Sequence, residues 1–289
     1  MDLSKLSKIG EMISPEKKKE LFLAVKIESE EIKSVFWTIE ESEIRMVALG
    51  SREEWSGTKE ELVVACDVSV SKAVALLPEE IRQIPHQLIF GLPYSWVEND
   101  KIKEEKLNDL HFVTNKLSFK PLGFVVIPEA ISFYLKNFQK EIGPAILVYI
   151  GVNEISVSLV EKGKVVESEV VGRSDNLALD IEEGVLRFTS VKELPSVIYL
   201  YNNEDLETIK QTLLSYPWQP PSDSEGRPGF LHLPRIEILP PDFDINSVAF
   251  AGGEEVRKSR SVKDVLPQPE EIKDIKEFVL VKPGQDIEL

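Results

Sequence analysis

Residues 146–160 read Ile146-Leu-Val-Tyr149-Ile-Gly151-Val-Asn-Glu154-Ile155-Ser-Val-Ser-Leu-Val160. The first five are an unbroken apolar run, the pattern of a strand buried on both faces. Gly151 permits a sharp turn, and the residues after it alternate apolar with polar, the pattern of a strand covered on one face. The stretch therefore predicts a β-hairpin. With Lys164–Val171 as a third strand it becomes a meander. A helix around Leu177–Arg187, a strand at Ser196–Tyr201 and a helix at Glu204–Leu214 follow.

The same order of elements is legible upstream. Leu21–Ile27 is a buried-strand pattern, and Ser34–Glu40 and Glu43–Leu49 extend it to an antiparallel meander. The apolar run Leu62-Val-Val-Ala65 reads as a short fourth strand over Glu61–Ala65, before a helix opening at Asp67 with Val70, Val74 and Leu77 on one face. A strand over Gln87–Pro93, a polar helix-forming stretch over Asn99–Lys116 and a strand over Gly123–Pro128 follow. The helix Glu129–Ile142 carries Ile131, Tyr134, Leu135 and Phe138 on one face. Each half thus offers a meander followed by helix and strand, an α/β duplicated fold.

The expected organisation is an N-terminal segment over 1–20, a first lobe over 21–143 and a second over 144–258, with Gly143-Pro144 at the boundary. Within the second lobe, residues 217–241 hold seven prolines, so they read as an irregular excursion, with Ile236–Leu239 a candidate strand. A closing helix spans about Asp244–Lys258. Residues 259–289 read as an acidic linker, with Phe278-Val-Leu-Val281 their one core-forming pattern. Near the start, Leu3, Leu6, Ile9, Met12 and Ile13 have helical spacing.

Composition narrows the function classes. The 289 residues are 42% hydrophobic and 29% charged, with a formal charge of −16. That charge opposes nucleic acid and anionic lipid as partners. The single cysteine, Cys66, excludes an internal disulfide and a multi-cysteine zinc site, and it lies in an apolar run that reads as core. No stretch reaches the ~20 apolar residues of a membrane span, and the polar, lysine-bearing start is unlike a signal peptide. The expected location is cytoplasmic, with any placement at the inner membrane supplied by a partner.

Three further motifs carry a resemblance: Leu92-Pro-Tyr-Ser-Trp96, Ile127-Pro-Glu-Ala-Ile131 and Asn246-Ser-Val-Ala-Phe-Ala-Gly-Gly253. The first resembles the Val-Pro-Ala-Tyr-Phe turn of Hsp-type chaperones. The second resembles equally the chaperones' Asn-Glu-Pro-Thr-Ala helix start and the Val-Glu-Pro-Leu-Ala of PilM-like proteins, and the third the closing helix of PilM and FtsA. Together with the hairpin at Gly151, their order and spacing resemble the actin-like ATPase superfamily. The resemblance implies two lobes of ribonuclease H-like fold and a nucleotide held between them.

The departures fall on the chemistry. The family's first phosphate loop reads Asp-Ile-Gly-Xaa-Ser-Xaa-Val-Lys; here it is Lys26-Ile-Glu28-Ser29-Glu30-Glu31-Ile-Lys33. A metal-organising carboxylate has become a cation, and the glycine that lets backbone amides approach phosphate has become Glu28. Glu28, Glu30 and Glu31 would repel a polyanion. In the second loop Tyr149 replaces the aspartate, Gly151 is kept, and Glu154 and Ile155 replace small residues. The Gly-Gly-Gly of the adenosine motif is Tyr201-Asn202-Asn203, with bulk where the nucleotide would sit.

The resemblance with these losses implies a catalytically inactive scaffold with no cofactor, similar to PilM in type IV pilus assembly or FtsA in cell division. Its implied partner is a protein, the cytoplasmic tail of a membrane protein, and self-association into filaments or a nucleotide-driven switch are the alternatives. Trp218 and Phe230, in the proline-rich segment, are the candidate partner anchors. The three histidines, His86, His111 and His232, lack metal-ligand spacing, and the acidic turn at Glu28–Glu31 reads as solvated rather than cation-binding.

Overall fold

The computed structural model describes residues 20–40, 43–82, 86–137, 143–202, 205–221, 227–263 and 278–281. The expected helix near Leu3–Ile13 lies outside them, as does Asn203. Strands β1 (Leu21–Ile27), β2 (Glu31–Glu40) and β3 (Glu43–Leu49) form the first meander, with a two-residue strand β4 (Glu53–Glu54) on β2. Helix α1 (Lys59–Leu76) and the one-turn α2 (Glu79–Arg82) lead to β5 (His86–Leu92), which pairs parallel to β1. A small hairpin of β6 (Val97–Glu98) and β7 (Lys101–Ile102), then α3 (Glu104–Leu117), β8 (Pro121–Val126) and α4 (Ile127–Leu135) complete the first half.

The second half repeats this with fewer parts. A meander of β9 (Ala145–Ile150), β10 (Glu154–Glu161) and β11 (Lys164–Gly172) is followed by α5 (Leu177–Leu186), β12 (Val197–Tyr201), α6 (Leu206–Ser215), β13 (Arg235–Ile238) and α7 (Phe243–Lys263). The first sheet runs β3-β2-β1-β5-β8 and the second β11-β10-β9-β12-β13. In each, an antiparallel meander gives way to parallel strands after a crossover helix, which is the actin-like topology.

Strand alternation sorts the side chains into layers. From β1, Leu21, Leu23, Val25 and Ile27 pack outward with Leu62 of α1 and Leu110 and Val113 of α3. Phe22 and Ala24 face inward. From β9, Ile146, Val148 and Ile150 pack outward with Ile181 of α5 and Leu213 of α6, while Ala145, Leu147 and Tyr149 face inward. The central layer between the sheets holds α4 and α7 through Ile127, Ile131, Ile245 and Val248. Helix α7 lies on β1, β2 and β5 of the first sheet, while α4 reaches β10 and β11 of the second. The two halves therefore share one core. Gly252 is small because α7 runs close to the sheet: a Cβ there would meet Ile89 Cδ1 at 2.7 Å.

Two expectations are corrected. Glu61–Ala65 is not a strand but the first part of α1. Thr58 caps this helix, its hydroxyl accepting from Glu61 N at 3.3 Å, and Leu62, Ala65, Cys66, Ser69, Val70 and Ala73 line its buried face at helical spacing. The β-branched run misleads because helix propensity is weaker than the packing that this face gains. The tail is also more than a linker. Helix α7 continues to Lys263, and Phe278–Val281 lie beside β8, with Phe124 N donating to Val279 O (2.9 Å) and Val281 N to Phe124 O (2.7 Å).

Candidate functional site

The inward alternation of β1, after Phe22 and Ala24, next delivers Lys26. That of β9, after Ala145 and Leu147, delivers Tyr149. The two residues hold equivalent places at the carboxyl ends of equivalent strands, where α/β sheets gather their ligands. The turns that follow are equivalent too: Glu28 N donates to Glu31 O and Gly151 N to Glu154 O, each at 2.9 Å.

Lys26 is completely buried. Its ammonium donates to Glu31, to Asp244 Oδ2 (2.5 Å) at the start of α7, and to Asn202 Oδ1 (3.3 Å) after β12. Burial opposes its charge, but the carboxylates of Asp244, Glu31 and Glu28 outweigh that and hold its pKa above the usual lysine range. Asp244 moves the other way. Desolvation would raise it, yet Lys26 and the Ile245 amide at 2.8 Å keep it below the usual aspartate range. The second oxygen of Glu31 faces the Arg52 guanidinium, and Lys33 pairs with Asp242 just before α7. One buried lysine thus ties the first hairpin to two elements of the second half.

Glu30 makes the second tie. Its carboxylate accepts from Val152 N (2.6 Å), from Asn153 N (3.0 Å) and from Asn153 Nδ2 (2.5 Å). These are the backbone amides of the other hairpin's turn, the groups that such a loop turns toward an anion. Gly151 allows the approach, since a Cβ there would lie 2.8 Å from Glu30 Oε2 and 2.9 Å from Tyr149 Cε1. Arg173 closes the turn from behind, Nη1 donating to Gly151 O at 2.5 Å.

Glu28 is buried as well, and desolvation raises its pKa well above the usual carboxylate range. The expected solvated acidic turn is therefore corrected: Glu28 and Glu31 are inside, because Trp55 covers the turn and donates Nε1–H to Glu28 O at 2.9 Å. Tyr149 is buried with its hydroxyl unpartnered among the described residues, its ring 5.8 Å from that of Tyr201.

Tyr201, the first residue of the Tyr201-Asn202-Asn203 run, is buried. Its ring lies in the central core, and a cavity of about 540 Å³ opens beside it, lined by Asn202, Leu206, Leu239, Phe243, Lys33 and Arg52. On the far side of the hairpins a groove of about 850 Å³ is lined by Ser29, Glu30, Val152, Asn153, Glu154 and the first turns of α1.

Trp218 and Phe230 are corrected as exposed anchors. Both are buried against the second sheet's outer helices, edge to face at 5.1 Å, and Trp218 Nε1 donates to Leu213 O at 3.0 Å. The proline-rich chain folds back because these rings gain more from burial than from display. Among the described residues no group of His, Cys, Asp and Glu is arranged to hold a metal ion, and no helix is long and apolar enough to cross a membrane.

The sequence marks Lys26, Glu28 and Tyr149 as changed positions. It does not mark Asp244, Arg52 or the reach of Glu30 to the other hairpin. Asp244 opening a helix after Pro240-Pro241 was the one available signal.

No protein-family model matches the sequence, and no curated protein matches it. Solved structures do. The ethanolamine utilization protein EutJ of Carboxydothermus hydrogenoformans is similar over 85% of this chain and 96% of its own, at 13% identity and a TM-score of 0.53. The PilM–PilN type IV pilus biogenesis complex is similar over 80% of this chain and 98% of the other, at 11% identity and a TM-score of 0.50. At such identities the likeness is one of architecture, and the architecture of this chain is the actin-like fold.

Proposed function

We propose that this chain is a nucleotide-independent actin-like adaptor. The observation that carries the reading is Glu30 on the amides of Val152 and Asn153. A phosphate would need those donors, and the protein supplies its own anion to them. Lys26 places an ammonium where the family keeps the carboxylate that organises a metal. A magnesium–phosphate group does not fit this set, because phosphoryl transfer needs open amides and a positioned metal, and neither is left. Retention of the fold without that chemistry favours selection on shape and surface.

The role that follows is cytoplasmic scaffolding, in which the chain receives a segment from the tail of a membrane protein, as in pilus assembly or division. The likeness to a PilM–PilN complex supports a protein partner for this architecture. Calorimetric titration with Mg-ATP and Mg-ADP tests the reading. No saturable heat is expected, and binding tighter than about 100 μM would overturn it. A second reading, a nucleotide-driven switch, is favoured by the 540 Å³ cavity beside Asn202. Adenosine in the same titration separates the two, since a surviving nucleoside site would give heat.

A further inference from the structure

We infer that the groove between the hairpin turns and α1 docks a basic, amphipathic segment of a protein partner, an assignment that rests on the adaptor reading. The groove, about 850 Å³, is within the ~300–1,000 Å³ of clefts that take ligands. Six glutamates, Glu30, Glu53, Glu54, Glu60, Glu61 and Glu154, share its lining with no lysine, arginine or histidine. Three of the six are already engaged: Glu30 on the second hairpin, Glu53 with Lys72 at 2.7 Å, and Glu61 on Ser56 N at 3.0 Å. Glu54, Glu60 and Glu154 have no ion-pair partner among the described residues.

The carboxylates surround apolar surface rather than water-facing polar chain. Val64 is 61% exposed and Val152 51% exposed, one on α1 and one on the second hairpin, and Val68 continues the α1 side of the groove. Exposed valines on two walls of one concavity, ringed by unpaired carboxylates, call for apolar side chains flanked by cations. An anionic lipid surface or a nucleic acid is repelled by the same charges. The walls are fixed before a partner arrives. Glu30 bolts the two hairpins together, and Trp55 is held by Glu28 O and by the Trp96 ring 6.1 Å away. Little ordering cost then falls on this side of the interface.

The Glu30 tie that occupies the phosphate position also builds the seam of the groove, so the groove exists without nucleotide.

The test is fluorescence anisotropy with a labelled Leu/Lys amphipathic peptide and the full chain. A triple reversal inside the groove, Glu54→Lys with Glu60→Lys and Glu154→Lys, is compared with a remote one of equal charge, Glu79→Lys with Glu80→Lys and Glu104→Lys. Saturable binding is expected, weakened about tenfold or more by the groove reversal and about twofold or less by the remote one. Val64→Asp, which alters the apolar wall at an exposed position, is expected to weaken binding as well. Absence of binding, or equal loss in both triples, would overturn the proposal. Displacement of the probe by a synthetic peptide of residues 1–19 would assign the groove to this chain's own segment and overturn the partner assignment. Displacement by Mg-ATP would instead overturn the nucleotide-independent reading, so the two failures are distinguishable.

Discussion

The two hairpins of this molecule share a turn and differ in most of what is placed on it. From the end of β1 onward stand Lys26, Glu28, Glu30 and Glu31; at the matching places from the end of β9 stand Tyr149, Gly151, Asn153 and Glu154. The first turn is ionic and reaches outward. The second is compact, and its amides donate to the Glu30 carboxylate. A duplicated fold with a ligand between its halves has two equivalent loops facing that ligand. Here Glu30 of one loop sits on the amides of the other, so protein groups alone tie the two hairpins together.

That contrast can be broken most severely at Lys26. Lys26→Met leaves Asp244 buried without its ion-pair partner and Glu31 with Arg52 alone, and removal of one partner of a buried ion pair costs about 3–5 kcal/mol. Chemical denaturation should show a loss of that size. Tyr149→Phe at the matching position removes a hydroxyl with no partner among the described residues, so it should be neutral or stabilising by up to about 1 kcal/mol. If both variants lost stability alike, the asymmetry described here would be wrong.

Between these extremes lies the contact itself. Gly151→Ala puts a methyl against Glu30 Oε2, Glu154 O and Tyr149, and overpacking of this kind costs about 1–3 kcal/mol. Thermal unfolding of the two single variants and the double variant Gly151→Ala, Glu30→Ala is informative. The glycine change should cost less once the carboxylate it meets is gone.

Glu28 offers the smallest effect and a sign. Its folded pKa is raised by burial, so the folded state holds a proton that the unfolded chain loses near pH 4.5. Stability from this group is therefore present in acid and declines as pH rises through the folded pKa. Glu28→Gln should raise the melting temperature at neutral pH, and the gain should shrink toward about pH 4. Asp244 has the opposite sign. Its folded pKa is depressed, so its contribution is present at neutral pH and is lost as acid carries the protein below that value.

Much of the fold was legible because its central strands are buried on both faces and leave apolar runs such as Leu21–Ile27 and Ala145–Ile150. The exception, Leu62–Ala65, is an apolar run of similar composition, and only the cap at Thr58 and the spacing out to Ala73 distinguish helix from strand. The site was half legible. Lys26 and Tyr149 were readable as misplaced residues within a known hairpin. Their partners were not, because Asp244 is 218 positions from Lys26 and Glu30 is 123 from Asn153, separations that no local pattern encodes. Trp218 and Phe230 were misread for a related reason: prolines predict irregular chain, and irregular chain can still cover a core.

The central claim is that Glu30 permanently occupies the amides a phosphate would need. Amide hydrogen exchange at Val152 and Asn153, with and without Mg-ATP, tests it most directly. The account predicts protection in the free protein, no change on adding Mg-ATP, and loss of protection in Glu30→Ala. Amides that exchange freely in the free protein and become protected only with Mg-ATP would contradict it.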